Sequence, residues 1–128
     1  MAGNAIPDNL RRYLLASSLT VPHVEAILLL RHDPQSRWDA PALAARLYLP
    51  ERRARQLLGE LVEMRIFVAD ASTGQYTYRP ESVELASLLD LLADTYARHL
   101  VEITRLIHTA TSTAAEQFAD AFRFRKDD

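Results

Sequence analysis

Guanidinium and amide side chains are concentrated in one short stretch of this sequence, PERRARQLLGE at residues 50–60. Arg52, Arg53 and Arg55 occupy three of four consecutive positions, and Gln56 follows them. A guanidinium group forms paired hydrogen bonds with the edge of guanine, and a primary amide does so with adenine. These residue types therefore indicate base recognition. The alternative is an ordinary solvated face in a chain that contains fourteen arginines.

The apolar residues of the same stretch predict a helix with one buried face. They recur at the spacing i, i+3, i+4, i+7 and i+8, at Ala54, Leu57, Leu58, Leu61 and Val62. Steps of about 100° per residue then place Arg52, Gln56 and Gly59 on the outward side. Arg53 and Arg55 flank that side.

The outward side of this predicted helix changes charge along its length. Its first half is basic, whereas Glu60 and Glu63 make its second half acidic. Cations at a helix N-terminus oppose the helix dipole, so this arrangement costs local stability and indicates a binding role. A helix of this polarity is suited to entering a groove by its N-terminal end.

Four further elements are predicted around this helix. A short helix is expected at residues 8–18, and the nearly all-apolar HVEAILLLRH predicts a buried helix after Pro22. WDAPALAARLYL predicts another helix with Asp39 as its N-cap. Two β-prone runs on either side of Gly74 then predict a hairpin, VADASTGQYTY.

From Glu81 onward an apolar stripe predicts one helix of about thirty residues. The members of the stripe are Leu85, Leu88, Leu89, Leu92, Tyr96, Leu100, Ile103, Leu106 and Ile107, and His99 falls within it. A helix of that length rises roughly 40 Å, which a domain of this size cannot cover alone. A second copy of the chain is therefore expected to cover part of the stripe.

The order helix, helix, tight turn, helix, hairpin resembles the winged helix-turn-helix of bacterial transcriptional regulators of the MarR-like kind. The matching segments are LAARLYL as positioning helix, RRARQLLGELVEMRIF as recognition helix and VADASTGQYTY as wing. The resemblance departs from the pattern at Met64–Arg65, where a glycine commonly ends the recognition helix. It departs again at the wing tip, which contains no Lys or Arg.

This resemblance implies a mainly α fold with a small β-hairpin wing. Residues 1–80 are expected to form the winged helix-turn-helix domain with its N-terminal helix. Residues 81–128 are expected to form a C-terminal helical segment for dimerisation or interaction, containing the long helix. The seam between two copies would be formed by Leu85, Leu88, Leu92, Tyr96, His99, Ile103 and Leu106.

The resemblance also implies function, namely a homodimer that binds double-stranded DNA sequence-specifically and regulates transcription. The recognition helix, about residues 51–64, would lie in the major groove. Base edges would be contacted by Arg52, Arg53 and Gln56. Phosphates would be contacted by Arg37, Arg46, Arg55 and Arg79.

A winged-helix module that binds a protein instead of DNA is the alternative. The net charge of −2 favours it, because proteins that bind phosphate backbones are often basic. The charge is unevenly distributed, however, with +2 over residues 37–79 and −4 over residues 80–128. A protein partner is expected to dock at the apolar segment around Phe118 and Phe122.

Motifs for other functions are not found in the sequence. It contains no glycine-rich phosphate loop, no GxSxG and no HExxH, so neither an enzyme nor a bound cofactor is expected. His99 and Glu102 lie one turn apart without a third ligand, so no metal site is expected. The absence of cysteine, of a long apolar run and of a secretory signal predicts a cytoplasmic protein without membrane insertion.

Overall fold

The computed structural model describes residues 5–111, which form helices and one small antiparallel sheet. The helices are α1 Asp8–Ser17, α2 Val21–His32, α3 Ala40–Leu47, α4 Glu51–Glu63 and α5 Val83–Arg98, followed by a helical segment at 100–111. The strands are β1 Phe67–Asp70 and β2 Gln75–Tyr78. The predicted mainly helical class with one hairpin is confirmed, and the order of elements is compatible with a winged-helix fold. The predicted docking segment around Phe118 and Phe122 lies outside the described residues.

The chain divides into two compact units. One is Val21–Asp90, which contains α2, α3, α4 and the hairpin. The other comprises the described residues before 21 and after 90, so the division falls within α5. The predicted nucleic-acid contacts all lie in the unit Val21–Asp90.

Local interactions explain where helix α3 begins and where it ends. The Asp39 carboxylate accepts a hydrogen bond from the backbone N–H of Ala42 at 2.9 Å, which confirms it as the N-cap. The helix ends at Leu47, and the residue that caps it, Tyr48, has a left-handed backbone with φ 57° and ψ 46°. Pro50 then occupies the N-cap position of α4, so a very short turn joins the two helices.

Burial of α4 agrees with its predicted apolar face. Ala54, Leu57, Leu58 and Leu61 are all 0% exposed, and Val62 at the edge of the face is half-buried. The helix packs on α2, α3 and β1. Full burial of a leucine stabilises the fold by about 1.5–3 kcal/mol, so this face anchors α4 firmly in its unit.

The hairpin pairs Phe67 with Tyr78 and Asp70 with Gln75, and it turns through Gly74 at φ 71°. A further antiparallel bridge joins Trp38 to Tyr76 of β2. Their N–H groups donate to each other's carbonyl oxygens at 2.9 and 2.6 Å. The residue just before the α3 N-cap thus lies along the outer edge of β2, a contact that the sequence pattern does not predict.

The expected single helix of about thirty residues is not observed. Helix α5 ends at Arg98, and a separate helical segment begins at residue 100. Leu89 and Leu92 on the first segment and Ile103 and Ile107 on the second are at most 1% exposed. Part of the apolar stripe is therefore buried within one chain, on both sides of the break at residue 99.

Among residues 5–111, no single helix is long and apolar enough to cross a membrane. Helices α1 and α2 reach the required length and hydropathy only when they are taken together across residues 18–20.

Loss of the Asp39 cap is expected to destabilise the unit Val21–Asp90. Asp39→Ala leaves the N–H of Ala42 without its acceptor and should lower the free energy of unfolding by about 1 kcal/mol in urea titrations. Asp39→Asn retains a capping oxygen and is the matched control. Equal stability of the alanine and asparagine variants would contradict the capping role.

Candidate nucleic-acid interface

The start of α4 presents two arginines to solvent. Arg52 is exposed and Arg53 is half-buried, and neither forms an ion pair or side-chain hydrogen bond with another residue in the range 5–111. Arg55 differs, because its Nη2 lies 2.8 Å from Oε2 of Glu51 one turn earlier. The structure therefore places Arg52 and Arg53 at the surface as predicted. Arg55 would have to give up its ion pair with Glu51 in order to bind a phosphate.

Glu60, in the predicted acidic half of α4, is partly engaged by the neighbouring helix α2. Its Oε1 lies 2.8 Å from Nε2 of His23, a residue of α2 that is only 8% exposed. One carboxylate oxygen thus contacts α2 while the Glu60 side chain remains 41% exposed, and Glu63 in the same half of α4 is exposed as well. His23 and Glu60 are 37 residues apart, so helical spacing gives no sign of their contact.

The amide of Gln56 is exposed on the outward side of α4. Its Nε2 donates to the second oxygen of Glu60 at 3.5 Å, a long hydrogen bond. The amide retains a second N–H and its Oε1 oxygen. One donor and one acceptor remain, which is the pair that a bidentate contact with adenine requires.

The guanidinium group of Arg46 on α3 contacts an aromatic ring. Its guanidinium carbon lies 5.8 Å from the centre of the Trp38 ring, which is within the range of a cation–π contact. Arg46 is nevertheless exposed, and Arg37 just before Trp38 is exposed as well. The bridge between Trp38 and β2 therefore fixes the backbone at the residue that follows Arg37. It also positions the Trp38 ring that the Arg46 guanidinium contacts.

Arg79 follows β2 at the base of the hairpin. Its backbone N–H donates to the carbonyl oxygen of Ile66 at 2.9 Å, and its side chain is exposed. Arg65 is also exposed and lines the same surface groove as Arg79. Sequence reasoning identified Arg79 as a candidate and treated Arg65 only as a departure from the usual glycine.

The wing tip is acidic. Asp70 accepts hydrogen bonds from the side-chain hydroxyl of Ser72 at 2.7 Å and from its backbone N–H at 3.0 Å. These hydrogen bonds hold the pKa of Asp70 below its usual value, so the carboxylate is charged at neutral pH. The tip therefore repels phosphate, and cationic contacts on the hairpin are restricted to its base.

The predicted dimerisation residues divide into two groups. Leu92, Ile103 and Leu106 are buried within the chain. The other four predicted residues are half-buried, namely Leu85, Leu88, Tyr96 and His99. The largest apolar exposure on the segment 100–111 belongs instead to Leu100, at 50%, and Val101, at 56%.

Within residues 5–111, no three His, Asp or Glu side chains converge as a metal site would require. His99 Nδ1 lies 3.3 Å from Glu102 Oε2, a pair one turn apart in sequence.

Comparisons with protein families, curated proteins and solved structures find no match to this chain. Its function is therefore inferred from the arrangement of its own side chains.

Gly59 provides a test of the outward face of α4. A Cβ atom added there meets nothing within 4 Å, so Gly59→Ala should raise the free energy of unfolding by about 1 kcal/mol through helix propensity. Gly74→Ala should lower it by about 1 kcal/mol, because Gly74 has a positive φ. Chemical unfolding measures both changes. Destabilisation by Gly59→Ala would show that this side of α4 is covered.

Proposed function

We propose that this protein is a sequence-specific, double-stranded DNA-binding transcriptional regulator of the winged helix-turn-helix type. It acts as a homodimer in the cytoplasm, with α4 as the recognition helix in the major groove. One observation carries the proposal. Arg52 and Arg53 lie at the surface of the first turn of α4 without a partner among residues 5–111, while Glu60 is bound to His23.

The electrostatics of α4 support entry by its N-terminal half. Base contacts require side chains that are not already neutralised, and Arg52 and Arg53 meet that condition. Contact with His23 engages one oxygen of the Glu60 carboxylate, while its other oxygen lies beside Gln56 on the outward side. The Arg55–Glu51 pair is exposed and is worth at most about 1 kcal/mol, so phosphate can displace the carboxylate.

Each predicted contact has a place in this arrangement. Arg52, Arg53 and Gln56 would read base edges from the outward side of α4. Arg37, Arg46, Arg55 and Arg79 would bind phosphates around it, which positions the protein without specifying sequence. The order of elements is compatible with the winged-helix fold on which these roles were predicted.

Base recognition by α4 is tested by fluorescence anisotropy. Labelled duplexes tiled across the gene's own promoter region are titrated with wild type and with the variants Arg52→Ala and Arg53→Ala. Each variant should weaken binding to the preferred duplex by about 1–3 kcal/mol, roughly 5- to 150-fold, because a bidentate base contact is lost.

Arg12→Ala is the matched control, because Arg12 is an exposed arginine on α1, away from α4 in sequence. It should bind like wild type. Failure of the wild-type protein to bind any duplex in a salt-dependent manner would contradict DNA binding. Equal binding by both α4 variants and the control would contradict the role of α4.

Dimerisation through the C-terminal helical region is supported by exposed apolar side chains. Leu100 and Val101 are adjacent and each at least 50% exposed. Pairing two recognition helices on a pseudo-palindromic site requires half-sites about 34–36 Å apart, or multiples of that distance.

Replacement of this apolar pair by charge tests the homodimer. The double variant Leu100→Asp and Val101→Asp should sediment as a single chain, whereas wild type should sediment at twice the monomer mass. Leu15→Asp, which alters an apolar residue of α1 that is 47% exposed, is the control and should remain dimeric. A wild-type monomer at micromolar concentration would contradict the homodimer.

A protein-binding winged-helix module is the second candidate. The acidic wing tip at Asp70 favours it, because a phosphate-binding wing would carry cations there. This candidate predicts a stoichiometric protein complex together with no retention of DNA.

A further inference from the structure

Two residues that flank α4 on either side have backbone conformations that favour glycine. Of the described residues other than glycine, those with positive φ are Ser18, Tyr48 and Arg65. Tyr48 precedes α4 by three residues, and Arg65 follows its last residue by two. A residue with a Cβ is sterically disfavoured in this region, whereas glycine adopts it readily. Tyr48 and Arg65 therefore keep their side chains at some cost in backbone energy, and both of these side chains are exposed.

Tyr48 has an almost completely exposed side chain. It ends α3 at φ 57° and is 93% exposed, although its backbone N–H is bound to the carbonyl oxygen of Ala44. An aromatic ring in water contributes little to folding, since stabilisation by a ring comes from its burial. Tyr48 lines a surface groove of about 360 Å³ together with Arg46 and Glu25.

Arg65 has a similar position at the other end of α4. Its φ is 67°, and its backbone is held by hydrogen bonds to Val62 and Glu81, both at 3.0 Å. The side chain is exposed and lines a groove of about 520 Å³ with Arg79 and Glu81. A glycine could make the same backbone contacts with less strain, but it would remove one of the two guanidinium groups from this groove.

Each groove thus combines one arginine already predicted to bind phosphate with one residue held in a left-handed conformation. We infer that Tyr48 and Arg65 are additional DNA-backbone contacts, Tyr48 beside Arg46 and Arg65 beside Arg79. This inference rests on the proposed DNA-binding function. The rise of α4 is roughly 20 Å at 1.5 Å per residue, so the two contacts meet different stretches of the phosphate backbone and fix the orientation of α4.

The two side chains bind phosphate by different chemistry, which makes them separable. The Tyr48 hydroxyl is neutral and donates one hydrogen bond to a phosphate oxygen. The Arg65 guanidinium neutralises charge and releases a condensed counterion. Loss of Arg65 should therefore reduce the slope of log K against log salt by about 0.9, and loss of Tyr48 should leave it unchanged.

Glycine substitutions at the three positive-φ positions test the inference. Tyr48→Gly, Arg65→Gly and Ser18→Gly should each raise Tm by about 3 °C, because each relieves a disfavoured backbone conformation. Tyr48→Gly and Arg65→Gly should weaken binding to the preferred promoter duplex by about tenfold, as expected for a hydrogen bond to a charged group. Ser18→Gly lies outside the unit Val21–Asp90 and should bind like wild type. Tyr48→Phe removes only the hydroxyl and should reproduce the loss seen for Tyr48→Gly.

Higher Tm combined with weaker binding is the expected signature, and a purely structural role would not produce it. This inference alone would be overturned if the wild type binds DNA and the variants Tyr48→Gly and Arg65→Gly bind it as tightly as Ser18→Gly does. Wild type that binds no duplex would overturn the DNA-binding function and this inference with it.

Discussion

The candidate interface depends on the burial of one face of α4. Ala54, Leu57, Leu58 and Leu61 have no exposed surface, so the rotation of the helix about its axis is set by packing. Once those side chains face inward, the 100° step between residues directs Arg52 and Gln56 to the opposite side. The orientation of the polar side chains of α4 is therefore a consequence of the hydrophobic packing beneath it, and a substitution that rotates the helix would redirect every one of them at once.

The candidate interface depends, second, on which carboxylates pair with the side chains of α4 and α2. Glu51 forms an ion pair with Arg55, and Glu60 contacts His23 on the neighbouring helix. Arg52 and Arg53 remain without such a partner in the described part of the chain. The protein carries net negative charge, yet the start of α4 is cationic, because pairing within the unit and not total charge determines the local potential.

Local features of the fold could be predicted from the sequence. The period of apolar residues identified α4, the Asp39 cap identified the start of α3, and Gly74 identified the hairpin turn. Each of these depends on residues within a few positions of one another. The outward position of Arg52 and Gln56 followed from the same periodicity and is observed.

Contacts between distant residues could not be predicted in this way. The bond between Glu60 and His23 and the bridge between Trp38 and Tyr76 join separate elements, and no spacing rule connects them. The break after Arg98 was missed for a related reason. An apolar stripe specifies which residues are buried, but the same stripe is satisfied by a partner chain or by a break that buries it within one chain.

The most direct test of the account is to map the surface of the protein that meets DNA. Amide chemical shifts of the ¹⁵N-labelled protein are followed by NMR while its preferred promoter duplex is added. The account predicts the largest changes at residues 52–56, at Tyr48 and at Arg65 and Arg79, with little change along α1. Changes confined to α1 and to residues 100–111, or no change at α4 on saturation with DNA, would contradict it.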